Sequence, residues 1–250
     1  MRVYWTLVRR ELGGYFNSVL GYVIIAAALL LMGLSFVVML GNLRSEPMPM
    51  TLTELFFLTP FFWMILLLAA PVITMRLFAM ERFSGTYETL MTTPVRDLQV
   101  VMAKFTAALM FYIVMWLPMI GCFVIVHRFT DEPGAFDTWA VASTFLGILL
   151  LGCVFLSIGC LGSALTRSQT VAAILGLGVG TALFMASFMA DQLQTVTTWH
   201  KELLAGFALV DQMHDFSRGV VDTRPVVFYL SLTFLFLFLT LRAVEGRRWK

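Results

Sequence analysis

The sequence predicts an all-α integral membrane protein with six transmembrane helices, an N-terminal amphipathic helix in the membrane interface, and a short helix in the loop after the second span. Three observations carry this. The 250 residues are 60% hydrophobic and 13% charged, with a mean hydropathy of +0.88, whereas soluble chains are about 25% charged. Six apolar runs each approach the roughly 20 residues that a helix needs to cross a bilayer. Between the second and third runs the chain breaks into an eleven-residue polar island, Glu81–Met91.

Residues 1–19 come first. Tyr4, Trp5, Leu7, Val8 and Leu12 alternate with Arg9, Arg10 and Glu11, the pattern of a helix lying in the interface with its aromatic rings at headgroup level. Gly13-Gly14 offers a point at which the chain turns into the membrane. The apolar run after it is too long for the core of a cleavable signal peptide.

The predicted spans are Leu20–Leu40, Phe56–Met75, Val100–Val126, Ala140–Leu165, Thr170–Ala190 and Val226–Leu241. Pro60 and Pro71 in the second and Pro118 in the third read as kinks, because neighbouring helices can satisfy the freed carbonyls. The fourth and fifth form a tight hairpin over Thr166–Gln169. Gly147, Gly152, Gly159, Gly162, Gly176, Gly178 and Gly180 concentrate there, where small residues let helices approach closely. Lys104 lies near one end of the third span and is expected to snorkel outward.

Arg2, Arg9, Arg10, Arg76, Arg82, Arg96, Lys104, Arg167, Arg242, Arg247, Arg248 and Lys250 fall on one side, twelve of the seventeen basic residues. The positive-inside rule puts that side in the cytosol, with both termini and the 76–99 loop. Residues 191–225 are then the one long external segment. Leu203, Phe207 and Val210 give part of it a helical apolar face, and Asp211, Asp215, Arg218 and Asp222 turn its later part to water.

In the island, Met80, Phe83, Tyr87 and Leu90 form one helical stripe. Gly85 allows a hinge, Thr86 can cap a new turn, Glu88 sits near that turn's positive end, and Pro94 stops the helix after Thr93. Such a helix suits a groove on a cytosolic partner or packs on its own bundle. On residues alone the two readings balance.

Other chemistry is missing. No Gly-Lys pair occurs, so there is no P-loop, and neither His-Glu-x-x-His nor Gly-x-Ser-x-Gly is present. No catalytic, cofactor or metal site is expected in the chain, and an ATPase, if one acts here, is another polypeptide. His200 and His214 have acidic neighbours but no metal-ligand spacing. Cys122, Cys153 and Cys160 sit in apolar runs and read as packing residues. A net charge of +2 without a basic patch argues against nucleic acid. Span centres free of ionisable groups argue against a proton-coupled carrier and point to an apolar path for a lipid-like or amphiphilic cargo.

Glu81-Arg82-x-x-Gly85-Thr86-x-Glu88-x-Leu90-x-x-x-Pro94 resembles the signature of ABC-2 type permeases, the membrane subunits of ATP-driven ABC exporters. The resemblance implies that this loop carries a cytosolic coupling helix that docks the ATPase subunit, with Glu81, Gly85, Thr86 and Glu88 in the motif, and Phe83, Tyr87 and Leu90 of the apolar stripe are expected to anchor that contact. It implies ATP and Mg on that partner, and a bacterial inner-membrane protein. The run His214–Asp222 and the Glu245–Trp249 end are similar to the gliding-motility-type branch. One six-span chain is thin for a sizeable cargo, so a second copy or a related permease is expected as a dimer partner. The rival expectation is a membrane anchor that recruits an ATPase for envelope or motility work and transports nothing.

Overall fold

The computed structural model describes residues 2–45, 52–85, 96–129, 138–192 and 207–246. Among them there are ten helices and no strand: α1 Arg2–Phe16, α2 Val19–Ser45, α3 Leu52–Leu58, α4 Pro60–Thr74, α5 Ala79–Ser84, α6 Asp97–Phe129, α7 Thr138–Leu165, α8 Gln169–Gln192, α9 Leu209–Ser217 and α10 Thr223–Glu245. Six helical stretches, built on α2, α4, α6, α7, α8 and α10, are long and apolar enough to cross a membrane. The protein is an all-α membrane protein, as its composition predicts.

α7 is the most enclosed span and packs against α10, α8, α4, α9 and α6. Its glycines explain how so many neighbours fit. A Cβ on Gly152 would run into the Tyr112 ring, one on Gly159 into the Thr74 side chain, and one on Gly147 into Met213 and Phe216. Gly176 lies on Gly159 and Pro71, and Gly180 on Phe155; Gly178 faces open space. Without a hydrophobic drive between helices inside lipid, this close approach supplies the dispersion that holds the bundle.

α1 lies along α6. Val8 is fully buried against Ala103 and Ala107, and the Tyr4 hydroxyl meets that of Thr106 at 2.6 Å. Val3 and Trp5 stay more than half exposed, so α1 is amphipathic as expected. Its end is not where the glycine pair suggested. The helix runs through Gly13 and Gly14 to Phe16, and the chain reverses at Asn17-Ser18. A helical glycine costs only about 1 kcal/mol, too little to break a helix packed along one face. The reversal depends instead on Gly21, where a Cβ would collide with the Tyr15 carbonyl.

Pro60 breaks the chain where a kink was predicted. Thr59 is extended (φ −71°, ψ 138°), and Pro60 opens α4. A residue before proline is driven out of the helical region, and proline's fixed φ suits a first helical position. The Thr59 hydroxyl satisfies the loosened end by donating to the Phe56 carbonyl at 2.7 Å, and lies 2.5 Å from the Ser35 hydroxyl. Pro71 and Pro118 stay inside α4 and α6 as predicted.

At the bundle end opposite α1, α9 is tucked against α3 and α7. Asp211, Asp215, Arg218 and Asp222 are exposed as expected, but Met213, Phe216 and Ser217 are buried. Ser143 Oγ donates to the Phe216 carbonyl at 2.6 Å and Thr53 Oγ1 to that of Ser217 at 2.7 Å. Buried Glu54 pairs with Arg218 Nε and lies 3.6 Å from His214 Nε2. Phe207 precedes the helix and packs edge-on against Phe228; Leu203 and His200 lie outside the described residues.

Candidate functional site

α5 is six residues long and is fixed at its root. The Ser163 hydroxyl, at the end of α7, accepts the backbone N–H groups of Phe78 and Ala79 at 3.0 and 3.1 Å and donates to the Met75 carbonyl at 3.2 Å. One side chain thus satisfies the first N–H groups of a helix that has no cap of its own. Arg82 Nη1 donates to the Ala164 carbonyl. Leu77, Phe78 and Ala79 are buried beneath. Gly85, with φ +74°, ends α5 in the left-handed conformation that favours glycine.

Four charges tie α5 to α1 and α6. Lys104 Nζ lies 2.9 Å from Glu81 Oε1 and 3.0 Å from Glu11 Oε1; Arg10 Nη2 lies 3.0 Å from the same two oxygens. Lys104 is 2% exposed and does not snorkel. Two carboxylates within 3 Å hold it more strongly than a four-carbon stem can release it to water, and Phe78 lies beneath it at 5.5 Å. Arg10 is on the exposed side of the cluster. Burial works to lower its pKa, but the hydrogen bonds and charges of Glu11 and Glu81 outweigh that and raise it. The network favours one register of α5 against α1.

The structure therefore divides the predicted docking residues. Glu81 faces inward, into the ion cluster. Phe83 points away, 82% exposed, with Met80 at 42% on the same helix. Gly85 closes the helix that carries both. Thr86, Tyr87, Glu88 and Leu90 lie outside the described residues. Sequence reasoning missed Ser163 and the partnership of Arg10, Glu11 and Lys104 with Glu81. The available signal was Lys104, a lysine set in otherwise apolar surroundings, which in lipid implies a partner.

A search of curated proteins finds no match to the chain. A family model described as ABC-2 family transporter protein matches residues 32–246, which takes in the end of the first span, the other five spans and the whole loop that carries α5. The chain accordingly belongs to the ABC-2 family of transporter proteins and is a membrane-spanning permease component, a membership that implies partnership with an ABC ATPase subunit.

Proposed function

We propose that this chain is the permease of an ATP-driven exporter, and that residues 79–91 form its contact with the ATPase subunit. The observation that carries the reading is Phe83: a large aromatic side chain held almost fully exposed on a helix whose root is fixed by Ser163, Arg82 and the Glu81 cluster. Exposed aromatic anchors on rigid supports typically dominate an interface. Tyr87 and Leu90 would continue the apolar face, while Thr86 and Glu88 would order the turn after Gly85. ATP and Mg would sit on the partner. The permease would act as a dimer, with a second copy or a related chain, in the bacterial inner membrane with both termini cytosolic. Its cargo would be lipid-like or amphiphilic, in keeping with span centres that lack charge, and its relatives would lie in the gliding-motility-type branch.

Recovery of the ATPase by the affinity-captured permease, at matched membrane expression, tests this. Phe83→Ala and Tyr87→Ala should each weaken recovery by about 1–3 kcal/mol, while Phe207→Ala at the opposite end should leave it unchanged. A Phe83/Tyr87 double alanine that recovers as much ATPase as the parent refutes the docking assignment. Cargo-stimulated ATP turnover in liposomes separates an exporter from an anchor that only recruits the ATPase.

A further inference from the structure

Beside the ion cluster, a cleft of about 230 Å³ opens between the end of α1, the turn after α4, α5 and α6. Arg10, Arg76 and Lys104 line it, against Glu11 and Glu81. Arg10 and Lys104 are each bonded to both carboxylates. Arg76 is different. Its guanidinium donates to the Ser18 hydroxyl at 2.8 Å and to Met80 Sδ at 3.6 Å, both neutral groups. The cleft therefore holds three cations against two anions, and its positive excess centres on Arg76. A guanidinium carries five N–H donors in a planar fork that matches a phosphate.

Four residues before Arg76, which lies in the turn after α4, Val72 begins an apolar groove of about 180 Å³ between α2 and α4. Leu20, Ile24 and Leu31 form one wall and Ile65, Ala69 and Val72 the other. From Leu20 to Leu31 the groove runs about 16 Å, roughly eleven residues at helical rise. That is close to half of a roughly 30 Å hydrocarbon core, the depth of one leaflet. Both helices are spans, so the groove lies in hydrocarbon and the cleft at the polar boundary.

We infer that cleft and groove are one phospholipid site, with the headgroup phosphate on the Arg76 guanidinium and an acyl chain along the α2–α4 groove. The charge excess selects the phosphate, the groove selects the chain, and their spacing of four residues joins them in a single molecule. Basic pockets between spans at a membrane boundary take lipid phosphates in this way. Met80 and Glu81 of α5 line the cleft, but Arg76 and the groove lie outside residues 79–91, so the site stands whether or not those residues dock an ATPase.

The test is saturable binding to the purified full chain in non-ionic detergent, followed by native mass spectrometry without any ATPase. The probes are phosphatidylglycerol, diacylglycerol with the same chains, and inorganic phosphate. Phosphatidylglycerol should bind at least about tenfold tighter than either fragment, as two joined contacts require. Arg76→Gln should weaken it about tenfold, as loss of a charge-assisted bidentate bond does, and Arg76→Lys less. Ala69→Phe, which fills the groove, should weaken it independently of any change at Arg76. Arg167→Gln, an exposed arginine in the α7–α8 turn at the same end, should leave it unchanged. Diacylglycerol binding as tightly as phosphatidylglycerol overturns the site in favour of ordinary surrounding lipid. Phosphate alone binding as tightly reduces it to an anion contact and overturns the lipid assignment. Arg76→Gln and Ala69→Phe both binding like the parent also overturns it.

Discussion

Lys104 shows how one side chain orders three helices. It sits on α6, almost without solvent, and reaches a carboxylate on α1 and another on α5. A buried ion pair is weak evidence for stability, because desolvation offsets attraction, but removing one partner leaves uncompensated charge. Lys104→Met should therefore cost about 3 kcal/mol, the low end of that penalty, because Arg10 remains beside both carboxylates. A double-mutant cycle with Glu81→Gln, read by thermal unfolding in detergent, should recover part of the loss. Simple additivity would show that the pair is not coupled. The glycines of α7 make a second prediction at this scale. Gly159→Ala should destabilise by about 1–3 kcal/mol through overpacking against Thr74, while Gly178→Ala, which meets nothing within 4 Å, should stabilise by up to about 1 kcal/mol in the same assay. Both outcomes rest on geometry that sequence alone could only bracket: it grouped all seven glycines as packing residues but did not single out Gly178.

The elements that sequence read correctly are those set by length and periodicity: the six spans, the entry helix and the turn between α7 and α8. Those it misread depend on contacts made far away in the chain. Gly13-Gly14 looked like a turn because the packing of Val8 on α6, which keeps α1 helical, has no local signature. Pro60 looked like a kink because the interhelical Ser35–Thr59 pair that receives the broken end joins positions 24 residues apart. The ion cluster around Glu81 had no local signature for the same reason, since Arg10 is 71 residues away and Lys104 belongs to another helix. Sequence set the outer helix on Leu203, Phe207 and Val210 and turned the part after it to water, whereas α9 runs Leu209–Ser217 with Met213 and Phe216 buried. It is held by Glu54, a buried carboxylate that pairs across 164 residues with Arg218. Glu54→Gln should loosen α9 by about 1 kcal/mol, discounted because Arg218 is half exposed. Amide exchange in Leu209–Ser217 should then quicken about fivefold, with α7 unaffected. At the opposite end, Gly85→Pro replaces φ +74° by proline's fixed value near about −65°. It should redirect the chain after α5, so that ATP hydrolysis loses its coupling to transport even where some ATPase still binds. Unchanged cargo-stimulated turnover would show that the bend at Gly85 plays no part.

Across the whole molecule, enclosure falls outward from α7: α2, α8 and α10 present mostly exposed apolar faces. An even number of spans sends α1 and the end of α10 to one membrane surface and α9 to the other, and we propose from the distribution of basic residues that the first surface faces the cytosol. Cysteine accessibility tests that assignment, provided the reporter sites are chosen by exposure. Ser217, within the His214–Asp222 run, is unsuitable, since it is fully buried with its hydroxyl bonded to the His214 carbonyl. Val221, 41% exposed just beyond α9, and Phe83, 82% exposed on α5, are open to reagent. Cys122 is partly exposed and would be replaced by alanine first; Cys153 and Cys160 are buried and can remain. In intact cells permeable at the outer membrane, a membrane-impermeant maleimide should label Val221→Cys at once and Phe83→Cys only after the inner membrane is opened. The reverse order would invert the protein and remove α5 from any cytosolic ATPase. Labelling of both sites from the same side would require an even number of crossings between them. The bundle places α6, α7 and α8 there, an odd number, so the six-span arrangement itself would fall.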